Sequence, residues 1–362
     1  MKILAVETSC DETSAAIVVE GTQVLSHVLA SSSNLFEETG GVVPEVAARK
    51  QLEYIIPIID KALGDAKIPV ENIDFFAVTV GPGLLGSLLV GVDAVKMLSL
   101  IYEKPIIPVN HLLGHIYSVF IQNYLGQQIQ NGIPKFPLLV LVVSGGHTDL
   151  ILMKDFLKIE YLGGTQDDAV GEAFDKVARV LDIERYLGGA KLSKIAESSE
   201  GVSNISLPRP MIGTDDFNFS FSGLKTAVIR LNEELENQPS PRHPEEERSD
   251  NEGSSVSVIT ADIAHEFEQA VVDVLVAKTK RAVQEYKPKS LAIVGGVSAN
   301  RVLRKRVIEE FNDIDVFIPP VILCTDNAAM IGSAAYYLKD LATTNLSKIN
   351  ADSSLNLEKV FN

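Results

Sequence analysis

Residues 3–19 read ILAVETSCDETSAAIVV. Ile3 to Val6 and Ala15 to Val19 are apolar runs of strand length. The polar residues Glu7 to Ser14 between them read as a turn. Val24 to Ala30 supplies a third strand and completes a meander. The chain repeats this arrangement at residues 138–153, LLVLVVSGGHTDLILM. There Leu138 to Val143 and Leu150 to Met153 flank a Gly-bearing turn, and Glu160 to Leu162 follow as a third strand.

A second pattern recurs outside the hairpins. Phe75 to Val80 is a buried-type strand running into Gly81-Pro82-Gly83 and an apolar helix from about Leu84 to Leu98. Leu291 to Val294 runs likewise into Gly295-Gly296, then Val297 to Asn300 and a helix. Two copies of one α/β unit predict a duplicated, two-lobed protein with a cleft between the lobes. The first lobe is expected to span 1–108 with a returning segment at about 324–342, and the second 109–323. The alternative is a single doubly wound sheet.

The 362 residues suit two domains. A formal charge of −16 excludes a dedicated basic nucleic-acid surface, though not nucleic acid held by a local patch or a partner. Eight acids against two bases between 233 and 252 account for six of those negative charges. That Pro-rich stretch, 233–255, reads as a mobile acidic insertion, and 343–362 as a weakly ordered tail. No apolar run is expected to reach membrane-spanning length. The N-terminal residues lack the pattern of a signal peptide. Cys10 and Cys324 stand far apart, which suits a reduced, cytoplasmic setting.

Four turns could present backbone N–H groups to a phosphate: Ser9 to Thr13, Gly81 to Gly83, Ser144 to Thr148, and Gly295-Gly296. Neither Gly81 to Gly83 nor Gly295-Gly296 is a P-loop, which would end in Gly-Lys-Ser/Thr. His111 and His115 form an i,i+4 pair whose imidazoles share a helix face. With Asp326 they would bind a metal and leave coordination positions open. Leu112 stands where a zincin needs its glutamate. Structural roles are the alternatives: capping histidines, and Asp326 as a helix N-cap. Asp168, Glu172 and Asp175 fall at i, i+4 and i+7, a face that would bind cations or hydroxyls or else be a solvated acidic surface. Asp215 to Lys225 alternates phenylalanines with polar residues, as a buried strand does.

Taken together, Glu7 to Thr13, Gly40 to Glu45, Gly81 to Gly83, His111 to His115, Val143 to Thr148, Asp167 to Lys176, Phe219 to Lys225, Gly295 to Asn300 and Cys324 to Asn327 resemble the TsaD family. These are tRNA N6-adenosine threonylcarbamoyltransferases, formerly called Gcp or O-sialoglycoprotein endopeptidase, and the likeness runs from Met1 to about Leu338. The resemblance implies the duplicated actin, sugar-kinase and Hsp70-like (ASKHA) fold. It implies one divalent metal per chain, iron or alternatively zinc, on His111, His115 and Asp326. It assigns Val142, Val143, Ser144, Gly145, Gly146, Asp175, Gly189 and Asn300 to threonylcarbamoyl-AMP, and no catalytic side chain beyond the metal ligands. The implied reaction is transfer to N6 of adenosine 37 in tRNAs reading ANN codons. Implied partners are tRNA, a TsaB-like paralogue, a TsaE-like ATPase and a TsaC-type synthase. Rivals are a metalloprotease, a small-molecule kinase using Asp11 or Asp175, and a non-catalytic nucleotide-binding subunit. Leu187-Gly188-Gly189 departs from the family's Pro-Gly-Gly.

Overall fold

In the computed structural model, which describes residues 1–37, 39–130, 132–199, 205–236 and 258–356, the predicted hairpins form the centres of two sheets. The first unit comprises β1 (Lys2–Glu7), β2 (Glu12–Val19), β3 (Gln23–Ser31), α1 (Pro44–Ala66), β4 (Phe75–Gly81), α2 (Leu85–Tyr102) and β5 (Ile106–Asn110). Next come α3 (His111–Tyr117), β6 (Asn123–Tyr124) and β7 (Gln127–Gln128). The second unit comprises β8 (Leu138–Val143), β9 (Thr148–Asp155), β10 (Lys158–Gly164), α4 (Val170–Val180), α5 (Gly189–Ala196), α6 (Ser222–Glu236), α7 (Val258–Tyr286), β11 (Ser290–Val294), α8 (Arg301–Glu310) and β12 (Asp315–Phe317). The final helix, α9 (Ala328–Tyr337), returns to the first sheet. Strand orders are β5-β4-β1-β2-β3-β6-β7 and β10-β9-β8-β11-β12. In each sheet the central strand pairs antiparallel with its hairpin partner and parallel with the strand that follows a helix. Two sheets replace the single doubly wound alternative.

Strand alternation explains the layering. Leu4 and Val6 of β1 face a core with α1 and α2, while Ile3 and Ala5 face a central core. In β8, Leu138, Val140 and Val142 enter that same central core, and Leu139, Leu141 and Val143 face α4 and α7. Side chains of period two buried on both faces read as continuous apolar runs. Each fully buried Leu, Ile or Val contributes roughly 1.5–3 kcal/mol. Helices α3 and α9 lie between the sheets, and α3 thereby carries its histidines to the junction of the units. Tyr117, Phe156 and Tyr337 stack there, with Phe156 and Tyr337 4.3 Å apart, and bind α3, α9 and the β9–β10 turn together.

The chain departs from the sequence reading at four places. The first sheet takes in β6 and β7, beyond the expected boundary at 108, because β3 offers Asn123 and Tyr124 a parallel edge. The tail expected to be weakly ordered is fixed through 356. Thr343 pairs with Ile106, Asp352 N–H donates to the Val80 carbonyl at 2.8 Å, and Ile349 is buried. Those contacts have no periodic signature in sequence. Residues 233–236 continue α6, and the remainder of the 233–255 insertion lies outside the described residues. Finally, α2 is long and apolar enough, by length and composition alone, to cross a membrane, contrary to expectation. One face packs on α1 and β4, while Leu85, Leu89, Met97, Leu100 and Ile101 remain exposed.

Asp149 on β9 is a buried carboxyl with Tyr161 O–H donating to it at 3.0 Å. Burial pushes its pKa from 3.8 up to about 6, against that hydrogen bond. A carboxyl raised in the folded state costs stability as pH rises from its unfolded to its folded value. Stability should therefore fall by about 3 kcal/mol between about pH 4 and pH 6, then level off. Asp149→Asn should recover much of that loss at pH 7.5 and nothing at pH 4, measured by urea unfolding at both. An equal effect at both pH values would refute this account.

Candidate metal and nucleotide site

Asn110 ends β5 and caps α3, its carboxamide oxygen accepting from Leu112 and Leu113 N–H. The cap places His111 in the first turn and His115 one turn on. Asp326 Oδ1 lies 3.3 Å from His111 Nε2 and 3.2 Å from His115 Nε2. The three donor atoms lie within 4.8 Å of one another. The expected alternative, Asp326 as an N-cap, does not hold. Asn327 caps α9 by accepting from Met330 N–H, which leaves Asp326 free to face the histidines.

Two observations test the fit to a metal. His115 is 1% exposed; its Nδ1 has no hydrogen-bond partner among the described residues, and its Nε2 faces only Asp326 Oδ1, out of line for a hydrogen bond. A buried imidazole so poorly satisfied is costly unless a ligand engages it. His111 Nδ1 sits 3.1 Å from Glu7 Oε2 and 3.2 Å from Ser9 Oγ. A carboxylate on one ring nitrogen of a histidine orients the other as a metal ligand. The set of two imidazoles and a carboxylate suits iron(II) or zinc. Burial opposes charge on Asp326, but the adjacent histidines hold its carboxyl well below the usual range. Burial pushes Glu12 up to about 10, aided by Asp326 and Asp11. The Ser9–Thr13 turn therefore offers carboxyls and suits a cation or a proton better than a phosphate. Burial, then His111 and His115, bring His147 down to about 4, so that it is a neutral imidazole near the triad.

A cavity of about 700 Å³ opens beside the triad, Thr325 contributing to its wall. Gly145, Asp175, Gly189 and Asn300 line it, as do Gly171, Gly296 and Glu268. Val142 and Val143 are fully buried in β8 and can meet a ligand through backbone only. Ser144 Oγ is engaged in its own turn, accepting from His147 N–H at 3.1 Å. Gly295, at φ 94°, would carry a Cβ 2.4 Å from the Val143 carbonyl. Only glycine permits that close approach of the two second-lobe turns. The Gly81–Gly83 turn is not part of the cavity. A Cβ on Gly83 would lie 2.5 Å from the Ser9 carbonyl, so this turn buttresses the Ser9 turn.

Several assigned side chains have structural partners. Asp175 Oδ1 accepts from Gly189 N–H at 2.9 Å, and burial raises its pKa. Asn300 caps α8 and donates to Ser193 Oγ and Glu268 Oε1. The predicted acidic face is not one. Asp168 precedes α4 and is paired with Lys176 and Lys225, and Lys176 also pairs with Glu172. The 215–225 segment buries Phe217, Phe219 and Phe221, but its strand pairing is a single bridge between Thr165 and Phe219, and from Ser222 it is helix α6. Leu187 adopts φ 50°, which the fixed φ of proline forbids. Sequence reading missed Glu268 and the histidine-orienting role of Glu7 and Ser9. Glu268 in the long α7 has no motif around it, and the Glu7 to Thr13 motif reads as a turn offering backbone groups, with no sign that the Glu7 and Ser9 side chains reach His111. A second cavity of about 660 Å³ lies between α7 and β12, and its Lys135 and Lys280 are paired with Asp315 and Glu310.

Two sheets of one duplicated α/β plan, with a candidate metal triad between them and a Gly-lined cavity on the second lobe, define a fold of the actin, sugar-kinase and Hsp70 type. A solved structure of the same fold is component A of (R)-2-hydroxyglutaryl-CoA dehydratase from Acidaminococcus fermentans, with TM-score 0.51 and 15% identity over 94% of this chain and 99% of that one. The family profile of tRNA N6-adenosine threonylcarbamoyltransferase matches residues 23–333. A protein of that name from Staphylococcus aureus (strain Newman) is 44% identical over 359 residues, covering 99% of this chain and 97% of its own. Another, from Thermomicrobium roseum, is 48% identical over 345 residues, covering 93% and 92%. The chain belongs to the tRNA N6-adenosine threonylcarbamoyltransferase family and is a transferase of tRNA modification.

Proposed function

We propose that the chain transfers the threonylcarbamoyl group of threonylcarbamoyl-AMP to N6 of adenosine 37 in tRNAs reading ANN codons. The observation that carries this reading is the junction of triad and cavity through Thr325 and Asp326. A mixed anhydride needs its nucleotide held and its acyl oxygen placed beside positive charge. The N6 amine attacks the carbamoyl carbon, the bond from that carbon to the phosphate oxygen breaks, and AMP leaves with the electron pair. N6 gives up one proton, which passes to the departing AMP phosphate or to water. A divalent metal on His111, His115 and Asp326, iron or zinc, would supply Lewis-acid stabilisation of the developing oxygen charge. The backbone of Ser144 to Gly146 would face the phosphate, and Asp175 and Gly189 the ribose. Glu12, favoured in its protonated form, adds no charge to repel the phosphate.

The other readings have less support. A protease base is missing, since Leu112 is a buried apolar residue. A non-catalytic paralogue has no use for a complete triad. We place the protein in the cytoplasm, where both cysteines stay free thiols.

The partner reading also gains support. Arg49, Lys50 and Lys225, three residues that could contribute to a basic patch, are each paired, with Glu45, Glu53 and Asp168. The net charge of −16 then makes tRNA binding by the isolated chain weak. Leu52 and Ile56 on α1, with Leu85, Leu89, Leu100 and Ile101 on α2, form an exposed apolar face suited to a TsaB-like paralogue. We therefore expect labelled threonine to enter tRNA only when that paralogue, a TsaE-like ATPase and a TsaC-type synthase are present. Tight, salt-sensitive tRNA binding by the chain alone would contradict the partner requirement. Absence of transfer in the full mixture would contradict the function.

A further inference from the structure

The buried face of α1 runs Ala47, Gln51, Ile55, Ile58, Ile59 and Ala62. Gln51 stands where the periodicity calls for an aliphatic residue, and it is fully buried. A buried carboxamide is costly unless it is hydrogen-bonded. Its Nε2 donates to the Cys10 and Glu12 carbonyls at 2.9 Å each and lies 3.4 Å from the Thr8 carbonyl. The orientation of the amide follows from this. Turned over, Oε1 would face three carbonyl oxygens. Oε1 itself has no partner among the described residues. The residue is therefore held in the core by its donor end alone.

The other carbonyls of the turn are met as well. Ser9 O accepts from Leu84 N–H at 2.8 Å, and Asp11 O from Ser32 N–H and Oγ at 3.1 and 2.9 Å. All five consecutive carbonyls from Thr8 to Glu12 thus accept from groups outside the turn. Three of them depend on one side chain. The turn in turn touches the triad. Ser9 Oγ lies 3.2 Å from His111 Nδ1, and Ser9 N–H donates at 2.5 Å to Glu7, whose other oxygen lies 3.1 Å from the same nitrogen.

We propose that Gln51 is a positioning residue of this enzyme: its carboxamide fixes the Thr8–Glu12 turn and, through Ser9 and Glu7, sets the imidazole of His111 for the metal. The proposal rests on the metal reading of the triad. Gln51→Met keeps the length and removes both donors. Gln51→His keeps one N–H donor and is the milder change.

The test uses the full chain, titrated with zinc against a competing chelator, together with amide hydrogen exchange and thermal melting. Gln51→Met is expected to weaken zinc affinity by roughly 10- to 100-fold, the range for groups that orient metal ligands. Exchange across residues 8–12 should quicken while the β8–β9 amides stay protected, and Gln51→His should fall between the two. A lowered melting temperature with unchanged zinc affinity and unchanged exchange at 8–12 overturns the proposal, since Gln51 is then a packing residue only. If Gln51→Met does not fold, unchanged affinity and exchange in Gln51→His overturn it equally. If wild-type protein binds no zinc, or the His111→Ala, His115→Ala variant keeps it, the metal reading has failed. The proposal then loses its link to His111, whatever the exchange at 8–12 shows.

Discussion

Replacing His111 and His115 together by alanine should strip the chain of metal and lower threonylcarbamoyl transfer about 1,000-fold. A metal acting as Lewis acid contributes several kcal/mol to a developing oxyanion, and each 1.36 kcal/mol is tenfold in rate. The fold should survive. His111 is 12% exposed at the edge of the cleft, and the cost of emptying the His115 site falls on a helix already packed by Leu112, Leu113, Ile116 and Tyr117. Loss of two side chains is tolerable within the usual 5–15 kcal/mol of domain stability only if neither is central to the packing. Asp326→Asn is the shape-preserving companion. It removes the charge that the two imidazoles face and leaves the Asn327 cap of α9 intact. Elemental analysis reads the outcome. Full metal occupancy in a folded double variant would remove the triad from the mechanism, and normal transfer without metal would remove the metal.

How much of this was legible beforehand depends on the kind of signal. The two hairpins were plain because both faces of β1 and β8 are buried, which makes each an unbroken apolar run. The histidine pair was legible because a helix turns i,i+4 spacing into adjacency. Asp326 came partly from its place before a small-residue helix and partly from family likeness. What failed was anything set by backbone contacts across long sequence distances. Asp352 reaching Val80 and Asn123 reaching Gln23 leave no periodicity to read. The acidic face failed for a local reason: α4 begins at Val170, so Asp168 lies outside the helical register on which the i,i+4 argument depended. Gln51 was invisible because it breaks an apolar pattern, and a single polar residue in such a face looks like noise until its three acceptors are placed.

Asp175 should hold the ribose hydroxyls of the adenylate, and Asp175→Ala should weaken binding of a non-hydrolysable analogue by roughly 5- to 150-fold. That range follows from the ~1–3 kcal/mol cost of leaving hydroxyls without an acceptor in a closed site. The side chain lines the cavity, yet one of its oxygens already accepts from Gly189 N–H. A purely structural part is thus a real competitor, in which Asp175 ties α4 to the start of α5 and the ligand never meets it. Asp175→Asn separates the two. The asparagine oxygen can still accept from Gly189, so the loop keeps its tether, while the negative charge that receives hydroxyl hydrogens is gone. If Asp175 binds ribose, both variants lose affinity and Asn melts like wild type. If it only tethers the loop, Asn is silent in calorimetry and in melting, and Ala loses stability with an affinity change under about twofold. Burial raises the pKa of Asp175, which means desolvation opposes its charge at the cavity wall. A carboxylate in that position gains from hydroxyl donors arriving with the ligand, and this gain is the physical reason to expect the larger effect.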